Sequence, residues 1–331
     1  MIWIQFAACT AIILYSGTRL SLYGDVIAEK SGLGRTWIGV ILMASVTSLP
    51  ELVTGISSVA IYNLPNIAAG DVLGSCMFNL LILAMLDVKR NGSPISALAH
   101  QGHVLTAAFG ILLLGLVATS ILISDLIPAI GWIGLSSPLF ILIYVAAMRI
   151  VFRFERARAA GFVSDAVEGL QYGHLPKRSG YAWFTVHAIV IVVAATYLPH
   201  LGDEIATITG LGRTFVGSIF IALATSLPEI VVSRAALNMG AVDLAVGNIL
   251  GSNLFNIAIL AIDDVAFRQG PILASIAPSH VITALAAMAM TAIITIALTY
   301  RSENRVFLFS WESIGVVLVY ALTSLVLYSR R

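Results

Sequence analysis

Charge is what this sequence has least of. Only 11% of its 331 residues are Asp, Glu, Lys or Arg, against roughly 25% in an average soluble protein, while 59% are hydrophobic and the mean hydropathy is +0.97. A soluble globule is excluded. The net charge of +1 and the lack of a basic tract argue against nucleic acid or an acidic protein as partner. Cysteine is nearly missing too: Cys9 and Cys76 both lie in apolar stretches, which offers neither a disulfide framework nor a zinc pattern. The first apolar run starts at Ile2 with neither a basic segment before it nor a small-residue cleavage site after it, so it reads as a retained span and not a signal peptide.

What the chain does have is long apolar runs and an internal repeat. Gly24–Leu52 aligns without gaps on Gly202–Ile230, an offset of 178 with 17 of 29 positions identical, and such self-similarity marks a duplicated unit. The shared landmarks are GLGRT (Gly32–Thr36, Gly210–Thr214) and TSLPE (Thr47–Glu51, Thr225–Glu229). A second block, GDVLGSCMFNL (Gly70–Leu80), matches GNILGSNLFNI (Gly247–Ile257) at an offset of 177. At about 20 residues per crossing, hydropathy gives five spans per copy: 2–22, 36–61, 67–86, 103–124 and 128–152, then 181–201, 214–238, 243–262, 280–300 and 311–329.

The expected fold is therefore an all-α polytopic membrane protein of ten transmembrane helices in two five-helix repeats, 1–152 and 181–331, joined by a charged linker, 153–180. Five is odd, so the second copy enters the membrane from the opposite face and the repeats are inverted, a transporter signature. Of the 18 Lys and Arg, 14 fall on the side of the linker and 4 on the other, which predicts a cytoplasmic linker with both termini outside. The matched Arg35 and Arg213 then sit on opposite faces.

Polar residues inside the apolar spans fall at helical spacing. Thr47, Ser48 and Glu51 share a face, as do Thr225, Ser226 and Glu229, and the following spans carry the i, i+4 pairs Ser75/Asn79 and Ser252/Asn256. Pro50 and Pro228 free the carbonyls of Val46 and Ala224, and broken backbone at membrane depth is tolerated only where it is buried in protein or lines a cavity. A carboxyl group at the centre of a span costs about 2.5–3.5 kcal/mol even on lenient scales. One isolated glutamate could be a protonated packing residue; a matched pair in repeated motifs points to ion binding. Hard cations take 6–8 oxygen ligands, and two carboxylates, two amides, several hydroxyls and the freed carbonyls supply them. Soft ligands are nearly absent, which argues against zinc or copper. Two carboxylates give the empty site a charge near −2, neutralised by one divalent ion or two sodium ions, so the two species compete. Gly70, Gly74, Gly247 and Gly251 form small-residue faces for close helix packing. Asp25, Asp203, His100, His103 and His200 read as interfacial decoration, His187 as a satisfied core histidine, and Asp263 and Asp264 as solvated loop acids.

The two blocks, ASVTSLPELV with GDVLGSCMFN and ALATSLPEIV with GNILGSNLFN, resemble the alpha-repeat signatures of the cation/calcium exchanger superfamily, and within it the prokaryotic sodium/calcium exchangers. The alpha motifs then span 44–80 and 222–257. The resemblance implies a central ion site of Thr47, Ser48, Glu51, Ser75, Asn79, Thr225, Ser226, Glu229, Ser252 and Asn256, with the backbone carbonyls around Ala44 and Ala222 as ligands of outer sodium sites. It also implies ten helices, an outward amino terminus, and exchange of several Na+ for one Ca2+. No cofactor is expected; the partners are inorganic cations and the lipid bilayer, with no obligate protein partner, and the location is the cell membrane. Three departures stand out: Asn256 where some sodium/calcium exchangers have aspartate, Asp71 in place of the asparagine of the first GN pair, and Cys76 in place of the asparagine of GSN. Asp71, Ser75 and Asn79 form one i, i+4, i+8 stripe, so Asp71 either lines the outer access path or makes a cap or an interhelical hydrogen bond. The rival readings are a proton- or potassium-coupled antiporter of the same fold, a passive channel, and an intramembrane aspartyl-type hydrolase prompted by the AGD around Asp71, whose counterpart is only Asn248.

Overall fold

A computed structural model of the chain describes residues 1–31, 44–88, 93–159, 177–303, 305–306 and 309–330. The long elements are helices: α1 (Ile2–Ser31), α2 (Leu49–Ala60), α3 (Pro65–Val88), α4 (His103–Leu122), α5 (Ser136–Ala159), α6 (Lys177–Thr209), α7 (Arg213–Thr225), α8 (Leu227–Asn238), α9 (Val242–Ala266), α10 (His280–Tyr300) and α11 (Trp311–Ser329). Two-residue strands form small antiparallel ribbons before α5 and α11. Among the described residues, seven helices are long and apolar enough to cross a membrane, and α7 with α8, bent by 43° at their junction, make an eighth. The 30-residue α1 covers the expected 2–22 span. Of the expected 36–61 span only the later part is described, and the first GLGRT, with Arg35, lies outside the described residues. The chain is a helical polytopic membrane protein.

Burial sorts the helices. The apolar window of α3 is wholly buried and that of α9 is 83% buried, whereas those of α5, α6 and α11 are 17–28% buried. Thus α3 and α9 are the central pair, packed on each other, and the outer helices present Leu, Ile and Val to lipid. Around that pair α4, α10 and α11 close one core. The second core joins Ile13 and Leu20 of α1 to Ile191, Leu198 and Ile205 of α6 and to Val216 and Ile221 of α7.

Small residues set the closest approaches, as their spacing implied. A Cβ added at Gly74 would overlap the Ser218 carbonyl oxygen and lie 2.6 Å from its Cα, and one at Gly70 would lie 2.9 Å from the Cα of Gly217. The segment they meet, Gly217–Ile221, is a π-helical turn inside α7, a form that recurs at functional sites.

The acids at the end of α9 correct the sequence reading. The helix runs on to Ala266, so Asp263 and Asp264 are inside it and buried, not solvated loop acids. Asp264 accepts hydrogen bonds from the Ile272 amide (2.6 Å), the Gly134 amide (2.9 Å) and the Ser137 hydroxyl (2.5 Å). Asp87, at the matching place on α3, accepts from the Ile95 amide (2.7 Å) and the Ser313 hydroxyl (3.2 Å). His187 is buried among the rings of Tyr15, Tyr23 and Trp183, but its Nδ1 has no hydrogen-bond partner, so ring packing holds it and the expected satisfied state is not found. The interfacial groups pair as surface groups do: Asp203 with Arg213 at 2.5 Å, His103 with Asp243 at 3.1 Å, and His200 with Glu204 at 3.4 Å.

Candidate cation site

Two serines break the helices that carry the glutamates. Ser48 (φ −86°, ψ 14°) and Ser226 (φ −88°, ψ 7°) leave helical geometry in nearly the same way, and α2 and α8 restart at Leu49 and Leu227 with proline next. Proline at a helix start costs nothing, because the amide it lacks would have had no partner there. The restart places Glu51 and Glu229 in the first turn of their helices, where unpaired amides and the helix dipole favour negative charge.

The two motifs then cross. Ser226 donates to Glu51 Oε1 (3.0 Å) and Ser48 donates to Glu229 Oε1 (3.5 Å), so each break orients the other motif's carboxylate. Thr225 donates to Asp71 (2.8 Å), and Thr47 reaches Asn248 Oδ1 at 3.5 Å, again at matched positions. Ser226 Oγ also lies 2.9 Å from Ser75 Oγ, whose hydroxyl can donate to it, Ser75 lies 3.4 Å from Thr225, and Thr47 lies 3.5 Å from Ser252. Asn79 donates to Asn253 Oδ1 (3.0 Å), and Asn253 donates to the Cys76 carbonyl (3.0 Å). Thr47, Ser48, Glu51, Asp71, Ser75, Asn79, Thr225, Ser226, Glu229, Ser252 and Asn256 are all fully buried.

Several of these groups are incompletely bonded. Glu51 Oε2, Glu229 Oε2, Asp71 Oδ2, Asn79 Oδ1 and both amide atoms of Asn256 have no hydrogen-bond partner. Buried polar atoms are nearly always paired, and here five acceptor oxygens go unpaired on α2, α3, α8 and α9. They are hard ligands, of the kind alkali and alkaline-earth cations prefer. Among the described residues no three His, Cys, Asp or Glu side chains gather as a metal cluster. The carbonyls of Ala44 and Ala222 are already engaged: Ala44 accepts from the Ser48 amide (3.1 Å) and the Thr47 hydroxyl (3.2 Å), and Ala222 accepts from the Ser226 amide (3.1 Å) with Thr225 Oγ1 3.3 Å away.

Asn248 and Asn253 were not singled out as site residues from the sequence. The signal was in the repeat: Asn253 is the counterpart of Cys76, and Asn248 that of Asp71. Asp71 does make an interhelical hydrogen bond, through one oxygen only.

Known proteins share this architecture. Inner membrane protein YrbG of Escherichia coli K12 is 28% identical over 255 residues, covering 75% of this chain and 74% of that protein. The solved sodium-calcium exchanger NCX_Mj, soaked with Na+ and Sr2+, superposes with a TM-score of 0.62 at 18% identity, covering 97% of this chain and 98% of that one. The H+/Ca2+ exchanger CAX superposes with a TM-score of 0.71 at 13% identity, covering 99% and 86%. At such identities the two structures speak for the fold alone. The model of the sodium/calcium exchanger protein family matches residues 1–153 and 179–329, nearly the whole sequence. The chain belongs to that family, whose members are membrane cation antiporters and not enzymes.

Proposed function

We propose that the protein exchanges Na+ for Ca2+ by alternating access at one site between Glu51 and Glu229. The observation that carries this reading is the presence of five unpaired, buried oxygens on four helices, with each glutamate bonded by the serine of the opposite motif. Thr47, Ser48, Ser75, Asn79, Thr225, Ser226, Ser252 and Asn256 complete the ligand set. Ala44 and Ala222 join it when the hydroxyls of Thr47 and Thr225 turn away from their carbonyls. Two carboxylates at this depth are neutralised by one Ca2+ or by sodium ions, but not by both at once, and the empty site crosses poorly, which makes exchange obligatory. Moving one net charge per cycle couples the reaction to voltage at about 2.3 kcal/mol per 100 mV.

The ten-span inverted topology belongs to the same proposal. Helices matched by the repeat pack on one another: α1 on α6, α3 on α9, and α4 on α10. Inverted halves of this kind rock about a site fixed at their interface. With the linker cytoplasmic, both termini face outward, and the membrane is the cell's inner membrane.

Isotopic calcium uptake into proteoliposomes, with the driving gradient varied among sodium, potassium and protons, tests the reading. Uptake driven by sodium alone is expected. Uptake driven only by a pH gradient would replace sodium by protons as the coupling ion; unitary currents would replace exchange by conduction.

A further inference from the structure

The chain holds a buried acid that the site above does not use. On α9 the site-lining residues Ser252 and Asn256 lead on, two turns past Asn256, to Asp263. On α2, one turn past Glu51, the same face reaches Gly55. The two continuations meet: a Cβ added at Gly55 would lie 2.6 Å from Asp263 Oδ1 and 2.8 Å from its Cγ, so the carboxyl group rests on bare backbone. Asp263 is fully buried, and neither of its oxygens has a hydrogen-bond partner. Its neighbour Asp264 does the structural work of this corner, with three donors.

The repeat separates packing from function here. Under the 177-residue offset Asp264 matches Asp87, which makes the equivalent corner, whereas Asp263 matches Leu86, which is buried. A leucine therefore suffices for packing at this place. Asp71 likewise lacks an acidic counterpart. Among the described residues no hydrogen-bond donor meets the Asp263 carboxyl group.

We propose that Asp263 is a second cation station, one helical turn beyond Glu51, where a hard, oxygen-liganded metal cation pauses between the central site and the face at which α9 ends. Gly55 leaves the space that the Asp263 carboxyl group occupies. This rests on the transport reading for its role and on the unpaired carboxylate for its existence.

The test uses the full-length protein. In vesicles where either face can be addressed separately, Asp263→Asn and Asp263→Leu raise the calcium KM about fivefold, equivalent to about 1 kcal/mol, at the face where α9 ends. Both leave the KM at the other face unchanged, and Asp263→Glu restores the first. Equal effects at both faces, or none, overturn the proposal. A binding measurement decides independently: in Glu51→Gln/Glu229→Gln protein, added Na+ or Ca2+ still raises the unfolding temperature, and adding Asp263→Asn removes that rise. No rise before Asp263 is changed, or a rise that survives the change, also overturns it. If wild-type protein moves no calcium, the transport reading falls while the binding measurement still decides on Asp263. Asp263→Asn is further expected to be at least as stable as wild type without cations, since it removes an unpaired buried charge; a marked loss of stability would mean a structural role and overturn the proposal.

Discussion

Replacing Gly74 with alanine tests whether α3 and α7 are as closely apposed as the geometry requires. The added methyl would overlap the Ser218 carbonyl oxygen and lie 2.6 Å and 2.7 Å from the Cα and carbonyl carbon of Ser218. Carbon atoms sit comfortably at about 3.5–4.0 Å, so the helices must part by close to 1 Å. Backbone cannot rotate aside as a side-chain tip can, which places the strain near the upper end of the roughly 1–3 kcal/mol typical of overpacking. Alanine returns about 1 kcal/mol in helix propensity, leaving a net loss of about 2 kcal/mol. Gly251 is the internal control: its Cβ would meet the Ala44 Cβ at 3.2 Å, a shift of a few tenths of an ångström, so Gly251→Ala is close to neutral. Unfolding of both variants in mild detergent measures the difference. Equal losses for the two, or no loss for Gly74→Ala, would refute the reasoning.

Glu51→Gln and Glu229→Gln each keep side-chain volume and remove a carboxylate, so calcium flux should fall at least about a hundredfold, the equivalent of about 2.7 kcal/mol, in isotope uptake. Ser226→Ala leaves Glu51 Oε1 without its donor and Ser75 without its hydroxyl neighbour and should raise the calcium KM with little change in unfolding temperature. Asp264→Asn keeps two acceptor sites at most for three donors and should cost about 1–3 kcal/mol of stability. Asp243→Asn, at an exposed pair with His103, should cost less than about 1 kcal/mol.

Much of this was legible in the sequence because the repeat supplies its own control. Glu51 and Glu229 could be paired before any coordinates existed, and the structure brings their motifs into contact through Ser226 and Ser48. The proline signal located the two breaks to within two residues: Pro50 and Pro228 follow serines with matched, non-helical backbone. The misread features share a physical cause. Asp263 and Asp264 follow an apolar run and precede Arg268, Gln269 and Gly270, which looks like a helix end meeting water, and no local pattern reveals that distant Gly134 and Ser137 bond Asp264 while Gly55 packs on Asp263. The π-helical turn was equally hidden, since it arises where Gly70 and Gly74 of α3 press on α7.

The positions where the two halves differ carry as much meaning as those where they agree. Asp71 faces Asn248 in the alignment and Asp263 faces Leu86. Asp71 precedes Asn79 by two turns, while Asp263 follows Asn256 by about two turns. Under the proposed inverted topology the third and eighth spans run antiparallel, which would put both acids on one side of the central plane and their neutral counterparts on the other. On that topology one approach to the proposed site is acidic and the other neutral, and a charged approach of low dielectric concentrates cations. The double variant Asp71→Asn/Asp263→Leu, which copies each counterpart, should therefore bring the calcium KM at the two faces together. If the faces keep their wild-type difference, the asymmetry of affinity originates elsewhere, and these two acids do not set it.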